Sequence, residues 1–187
     1  MDGPTGEPVP ESAVLVPIPP ADALVGGLRR RLDRVGGRRV PAHVTVIYPF
    51  VPPAAIDHGV LTALAGAVRT VPAFDAVFER TGWFGAGVLF IVPEPAQAFQ
   101  RLTRVVWDAF PDHPPYQGAW ADLVPHLTVG AEAPVESLRA AEPLVAAALP
   151  FRCRVDHAVL VQGVGDQPWS VRATLPLARP PGRPRPS

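Results

Sequence analysis

Two short segments of the sequence carry the same residues that can do chemistry. The first reads Pro-Ala-His-Val-Thr-Val and contains His43 and Thr45, and the second reads Val-Pro-His-Leu-Thr-Val and contains His126 and Thr128. Side chains two residues apart on a strand point to the same face of the sheet. Each segment therefore predicts a strand that presents one imidazole and one hydroxyl together. Because buried polar groups left unpaired cost about 1–3 kcal/mol each, this pattern favours a cleft over a core.

Two imidazoles across a shared groove suit acid–base catalysis on a phosphodiester. One neutral histidine takes a proton from the attacking water or hydroxyl, and the other, as imidazolium, protonates the leaving oxygen. An ordinary histidine pKa of about 6.5 makes both forms accessible near neutral pH. The hydroxyls of Thr45 and Thr128 can donate to the non-bridging phosphate oxygens. Neither motif has a third histidine or a carboxylate at ligand spacing, so we expect no metal and no other cofactor.

The doubled motif leaves three interpretations open. A single His-x-Thr carries little information, because threonine is common in strands and most isolated histidines are structural. Two copies on equivalent strands favour a catalytic pair formed by His43 and His126. The second interpretation is a nucleotide-binding module that keeps the groove without turnover. The third places both histidines in core hydrogen bonds, and it predicts that their titration is suppressed.

The two motifs occupy equivalent places in a repeated order of predicted elements. Each half of the sequence reads as strand, helix, His-x-Thr strand, helix and strand, with 83 residues between the two histidines. In the helix predicted over residues 21–35, Leu24, Leu28 and Leu32 mark the buried face, and the arginines from Arg29 onward mark the solvent face. Either half alone would leave a sheet face bare. The sequence therefore predicts an α+β fold of two duplicated, pseudo-twofold-related lobes, with antiparallel sheets flanking a central groove.

Composition limits the classes of protein that this chain can be. It has 187 residues, of which 48% are hydrophobic, and 17 arginines balance 17 acidic residues with no lysine. This is enough apolar material for a core, and a zero net charge argues against coating long nucleic acid. A small nucleotide or an RNA end remains a suitable partner. The lack of a signal peptide and of an apolar run near 18 residues predicts a cytoplasmic protein with no membrane contact, and the single cysteine excludes an intramolecular disulfide. We expect the protein to be a monomer.

The predicted domain organisation is simple. Residues 12–178 form one bilobal domain. Residues 1–11, which are rich in Pro, Gly and acidic groups, form a flexible lead-in. The Pro- and Arg-rich residues 179–187 form a disordered tail, because proline lacks the backbone N–H that a regular hydrogen-bond ladder needs.

At this separation, the doubled His-x-Thr resembles the 2H phosphoesterase superfamily, in particular its 2′-5′ RNA ligase-like and 2′,3′-cyclic phosphodiesterase members. Residues 43–50, residues 88–95 and the Pro-Pro-Tyr before the second motif are similar as well. The resemblance spans about residues 12–178. It implies a bilobal fold with the active site between the lobes, where His43 and His126 act as the acid–base pair.

The same resemblance implies a function for the groove. Thr45 and Thr128 would hold the phosphate of a 2′,3′-cyclic phosphate, or of a related linkage, in RNA ends or small nucleotides. The reverse chemistry, 2′-5′ RNA ligation, is the alternative at the same site. In the bacterial ligase-like branch an arginine typically stands two residues after the second threonine, but here that residue is Gly130. This difference weighs against ligation and leaves the hydrolytic residues in place.

Three further residues are candidate substrate contacts. Tyr116 and Trp120 lie in the loop before the second motif, where an aromatic ring could stack on a base and contribute about 1–3 kcal/mol. Arg39 stands just before the first motif and could hold a phosphate oxygen. Tyr48 does not share a face with His43 in a regular strand, so we expect it in the core.

Overall fold

The computed structural model describes residues 8–33, 40–119 and 123–179, and all of its regular elements lie within them. In chain order these elements are β1 (Pro10–Pro17), α1 (Pro19–Leu32), β2 (His43–Ile47), α2 (His58–Val68), β3 (Phe74–Phe84), β4 (Val88–Glu94), α3 (Ala96–Ala109), β5 (Leu127–Ala131), α4 (Val135–Ala146), β6 (Phe151–Val155), β7 (His157–Val164) and β8 (Ser170–Pro176). Short 3₁₀ turns lie at Pro53–Ala55 and Pro115–Gly118.

The strands form two antiparallel sheets of the same design. The first sheet has the order β2-β1-β7-β8, and the second has the order β5-β4-β3-β6. In each sheet the strand that carries the His-x-Thr motif is an edge strand, paired on one side with the strand that precedes it in the repeat. The predicted α+β fold of duplicated lobes with antiparallel sheets is confirmed.

The two lobes do not coincide with the two halves of the sequence. Helix α1 follows β1 of the first sheet but packs on β5 and β6 of the second, next to α4. Conversely, α3 follows β4 of the second sheet but packs on β2 of the first, next to α2. Strands β7 and β8, from the end of the chain, complete the first sheet. Each lobe therefore depends on segments from both halves, which ties the two histidine strands into one folding unit.

The first sheet carries apolar residues on both faces of its central strands β1 and β7. Its helix-covered face contributes residues such as Val14 and Leu160 to the main core. Its opposite face carries a second, smaller apolar cluster, which Tyr48 and Trp169 cover. The members of this cluster are Ala13, Leu15, Val40, Val159 and Val161. The face that continues toward His43 is thus apolar, and its pairing with β1 holds the edge strand β2 in position.

The buried stripe of α1 differs from the prediction. Leu24 is 40% exposed, whereas Arg29 is only 3% exposed and lies on the buried face with Ala21 and Val25. The prediction that Arg29 belongs to a solvent-facing arginine stripe is therefore wrong. The physical reason is the exchange of helices between lobes, because α1 packs against β5 and β6 and not against the sheet that its own strand joins.

The ends of the domain also differ slightly from the prediction. Strand β1 begins at Pro10, so the last two residues of the predicted lead-in are part of the sheet. Residues 1–7 and 180–187 lie outside the described residues. Among the described helices, none is long and apolar enough to cross a membrane.

Candidate active site

The two edge strands present the motif residues as predicted. His43 and Thr45 are half-buried, and Val44 between them is fully buried on the opposite face. In the second lobe His126 and Thr128 are likewise half-buried, on either side of the buried Leu127. The alternation along each strand therefore sends the polar pair to the open face and anchors the strand through its apolar residue.

A β-bulge follows each threonine by one residue. Leu15 pairs with Thr45 while Val14 pairs with Ile47, so Val46 is an extra residue in β2. Val129 is extra in the same way in β5, between the pairs that Thr128 and Gly130 make with β4. A bulge shifts the alternation of all later residues by one. The repeated bulge shows that the pseudo-twofold similarity of the two strands extends to their local irregularity.

The bulge in β2 explains why the prediction for Tyr48 is wrong. A regular strand would place Tyr48 on the face opposite His43, but the extra residue returns it to the same face. Tyr48 is half-buried and lines a cavity with His43 and Thr45. Its hydroxyl donates to Glu11 Oε1 at 2.7 Å, which fixes the ring at the wall of that cavity.

Backbone carbonyls fix both imidazole rings in the same way. Nδ1 of His43 lies 2.7 Å from the carbonyl oxygen of Pro41, and Nδ1 of His126 lies 2.8 Å from that of Val124. Because a carbonyl oxygen only accepts, Nδ1 must carry the proton in each ring. The neutral form of each histidine therefore leaves the lone pair on Nε2, which can accept a proton from a substrate or a water molecule.

The environment keeps both imidazoles neutral. Burial, followed by the positive charge of Arg29 and with a smaller contribution from His126, lowers the pKa of His43 to about 3, although the bond to Pro41 opposes the shift. Burial also lowers the pKa of His126, and its bond to Val124 opposes that shift.

Two connected cavities open beside the histidines. One, of about 300 Å³, borders His43, Tyr48 and Trp169. The other, of about 740 Å³, borders His126 and Phe84. Both are lined by Thr45, Tyr116 and Ala131, so these residues stand where the cavities meet. Together the cavities form one groove, with a histidine on each side of its centre, and this size is ordinary for a small-molecule site.

Tyr116 is held at the centre of the groove by an uncommon backbone conformation. Its φ of 51° and that of Gln117, 56°, lie in the left-handed region, which non-glycine residues rarely adopt. The backbone N–H of Tyr116 donates to the carbonyl of Tyr48 at 2.7 Å. Burial raises the pKa of the Tyr116 hydroxyl, and a side-chain hydrogen bond with Thr45 opposes the shift. Strained conformations of this kind persist where the surrounding structure fixes them, commonly at ligand sites.

The structure brings together most of the predicted site residues. His43, Thr45, His126, Thr128 and Tyr116 line the same groove. Two predicted contacts, Trp120 and Arg39, lie outside the described residues. In the part of the chain that is described, no group of three His, Cys, Asp or Glu side chains is arranged to hold a metal ion.

Sequence reasoning missed two aromatic residues that support the groove. Phe90 is buried next to His126, with ring centroids 5.5 Å apart, and Trp169 lines the first cavity beside Tyr48, with ring centroids 6.3 Å apart. Each ring lies against a glycine, because a Cβ on Gly82 would come within 2.5 Å of Phe90 and a Cβ on Gly163 within 2.2 Å of Trp169. A glycine in a strand signals such a close approach, but it does not reveal which residue approaches.

Phe84 is a further aromatic residue, and it lines the second cavity. It lies edge-on to His126, with ring centroids 4.9 Å apart, and it is 38% exposed. Its other neighbour is Phe90, at 4.3 Å between centroids. The second cavity therefore has an aromatic wall directly beside one of the two imidazoles, which suits a planar ligand group.

Comparison with known proteins identifies the family. A family model described as the 2′-5′ RNA ligase superfamily matches residues 16–167. The chain belongs to that superfamily. The resemblance to 2H phosphoesterases that the paired motifs predict is confirmed, and the class of enzyme indicated by the family is a phosphoesterase.

Solved structures share the fold at low sequence identity. TT0787 of Thermus thermophilus superposes with a TM-score of 0.60 at 19% identity, covering 90% of this chain and 98% of that one. LigT of E. coli in its apo form gives a TM-score of 0.56 at 15% identity, covering 93% and 100%. LigT complexed with 3′-AMP also gives 0.56, at 14% identity, covering 91% and 99%. A search of curated protein sequences found no match.

Proposed function

We propose that this phosphoesterase is a metal-independent phosphodiesterase that opens 2′,3′-cyclic phosphates, or related linkages, of RNA ends or small nucleotides. The observation that carries the proposal is the pair of imidazoles at one groove, each with Nδ1 tied to a carbonyl and Nε2 left to exchange a proton. A module that only binds a nucleotide has no need of two such groups. The solved E. coli LigT complex with 3′-AMP supports a nucleotide as the ligand class.

In the proposed reaction, water attacks phosphorus in line with the ribose oxygen that leaves. One histidine takes the proton of the water through Nε2 as the new P–O bond forms. The other, protonated when the anionic substrate is bound, donates its proton to the ribose oxygen as the old P–O bond breaks. The product is a nucleoside 2′- or 3′-monophosphate, and proton exchange with solvent restores both rings.

The threonines stabilise the charge that develops on phosphorus. Thr45 and Thr128 each stand two residues after a histidine of the pair, on the open faces of β2 and β5. Their hydroxyls can donate to the two non-bridging oxygens, and removal of one such donor typically costs about 10²–10³ in kcat. Phe84 borders the His126 cavity and is suited to contact the base.

The alternative at the same site is 2′-5′ ligation, in which a ribose 5′-hydroxyl replaces water. The cavity beside His43, with Tyr48 and Trp169 as walls, offers room for such a nucleoside and is the observation that favours this alternative. Gly130 stands against it. A Cβ at this position would lie 2.5 Å from Leu138 and 2.8 Å from Leu32, so no arginine fits here without repacking.

The test is hydrolysis of a panel of nucleoside 2′,3′-cyclic phosphates in the presence of a chelator. We expect turnover by the wild type and a loss of at least about a hundredfold in His43→Ala and in His126→Ala. His58→Ala, at the exposed start of α2, is the matched control and should retain activity. Binding of the nucleotides without turnover above the two mutants would refute the catalytic assignment and favour the binding module.

A further inference from the structure

A contribution to stability does not by itself explain why the Arg29 side chain is buried. It is 3% exposed, and its Nε makes no hydrogen bond with any described residue. Its Nη2 lies 3.3 Å from Asp33 Oδ2, which partly compensates the charge. Replacement of such a buried ion pair by apolar residues is commonly neutral or stabilising. The contacts that Arg29 makes elsewhere are therefore of interest.

One of those contacts reaches the segment before His43, which Asp22 and Ile18 also hold. Arg29 Nη1 donates to the carbonyl of Val40 at 3.4 Å. The N–H of Ala42 donates to Asp22 Oδ1 at 2.8 Å, and its carbonyl accepts from the N–H of Ile18 at 2.7 Å. Pro41, whose carbonyl orients the imidazole, lies between these two anchored residues. Helix α1 and the turn before it thus hold the backbone that sets the His43 ring.

The second histidine lacks an equivalent charged support in the described residues. Its ring is oriented by the carbonyl of Val124, a residue that is 46% exposed. The adjacent carbonyl of Leu123 accepts from Gln100 on α3 at 3.1 Å, and this side chain is neutral. The two lobes share a topology, but the buried cation Arg29 and the carboxylate Asp22 hold the segment before His43, whereas an amide supports the segment before His126.

We propose that Arg29 is a positioning residue which makes His43 the proton acceptor of the pair and leaves His126 as the proton donor. The guanidinium holds the Val40 carbonyl, next to Pro41, so Nδ1 of His43 stays bound to Pro41 and Nε2 keeps its lone pair toward the groove. A positive charge nearby also opposes protonation of His43, in agreement with the direction of its pKa shift. The proposal rests on the proposed function, because it assigns the roles within the same acid–base pair.

Other charged and titratable groups also face His43 and must be considered. From α1 the carboxylate of Asp33 partly offsets the Arg29 charge, and from the second lobe His126 opposes protonation. The remaining groups that line the cavity are Tyr48, Tyr116 and Glu132. Asp22, also on α1, accepts from the N–H of Ala42 and adds a second negative charge near Arg29. Burial and then Arg29 are the largest causes of the lowered pKa of His43.

The experiment combines a pH–rate profile with an NMR titration of His43 in three variants of the full chain. Arg29→Met removes the charge, Arg29→Lys keeps it, and Arg30→Met removes an exposed arginine of the same helix as the control. In Arg29→Met we expect the His43 midpoint to rise by about 1 pH unit, and the acidic limb of kcat/KM to move upward equally. Arg29→Lys should retain the wild-type midpoint and limb, and Arg30→Met should do so as well.

Two results would overturn the proposal. If the alkaline limb of the kcat/KM profile moves in Arg29→Met, His43 is the proton donor. If Arg29→Met instead loses kcat equally at every pH, and Arg29→Lys does not restore it, the role of Arg29 is structural. If Arg29→Met does not fold, Asp33→Asn provides the test. This variant removes the negative charge that partly neutralises Arg29, so the titration midpoint of His43 must not rise. The NMR titration needs no substrate, so a wild type without turnover would refute the proposed function and still test Arg29.

Discussion

Because His43 is neutral in the folded protein, we expect this one residue to make the protein less stable at acidic pH. The unfolded chain binds a proton on the imidazole below its ordinary pKa of about 6.5, whereas the folded protein binds it only near the lowered pKa of about 3. Between these values the unfolded state holds more protons, so the free energy of unfolding falls as the pH falls. The stability is fully present above about pH 6.5 and is lost progressively toward pH 3.

The size of this loss follows from the two pKa values. Each pH unit below the unfolded pKa costs about 1.4 kcal/mol, which gives about 2 kcal/mol at pH 5. The half-buried ring borders the groove, and water there screens part of the shift. We therefore expect a loss of about 1–2 kcal/mol between pH 7 and pH 5, a substantial share of a typical stability of about 5–15 kcal/mol.

The assay is urea unfolding of the wild type and His43→Gln at pH 7, 6 and 5. Glutamine cannot be protonated in this range, so the loss due to His43 should disappear, while contributions from all other groups cancel in the comparison. His58→Gln, at the exposed start of α2, shows the effect of the same substitution on the surface. If the wild type and His43→Gln lose the same free energy between pH 7 and 5, the imidazole is not kept neutral by burial and Arg29, and this reasoning is wrong.

Three further substitutions test the groove and its supports. Thr128→Val keeps the shape of the side chain but removes a donor, and should lower kcat by about 10²-fold with little change in thermal stability; an unchanged kcat would exclude a phosphate contact. Gly130→Ala places a methyl group into tight packing and should destabilise the fold by about 1–3 kcal/mol, measured by thermal unfolding. Gly66→Ala is the control, because a Cβ at that position has no neighbouring atom within 4 Å, and it should not destabilise the fold. Gly163→Ala should displace the Trp169 ring and change its fluorescence and the KM for nucleotides more than kcat; an unaltered KM would show that this ring does not contact the substrate.

The sequence was informative where a local pattern has one physical meaning. The His-x-Thr spacing decides that His43 and Thr45 share a face, because side chains alternate along any strand. Alternation of apolar residues and the flanking prolines indicated the order in which helices and strands follow one another along the chain. The repeated order of elements predicted duplicated lobes, since each sheet needs a helical layer to cover one face.

The sequence was misleading where distant packing decides the outcome. The periodicity of α1 allows several buried stripes, and only the choice of partner sheet buries Arg29 and exposes Leu24. Likewise, the bulge at Val46 depends on the register with β1, and it moves Tyr48 into the groove. The fit of Trp169 onto Gly163 joins residues whose contact no local pattern specifies.

The sequence by itself thus determined the reactive groups and their local geometry: two imidazoles, two hydroxyls and the strands that carry them. Only the tertiary structure decided how the two motifs differ. The exchange of α1 between lobes places a buried cation behind His43, while a neutral amide supports the segment before His126. This difference arises from tertiary packing, because nearly identical motifs acquire different electrostatic surroundings from the helices that pack beside them.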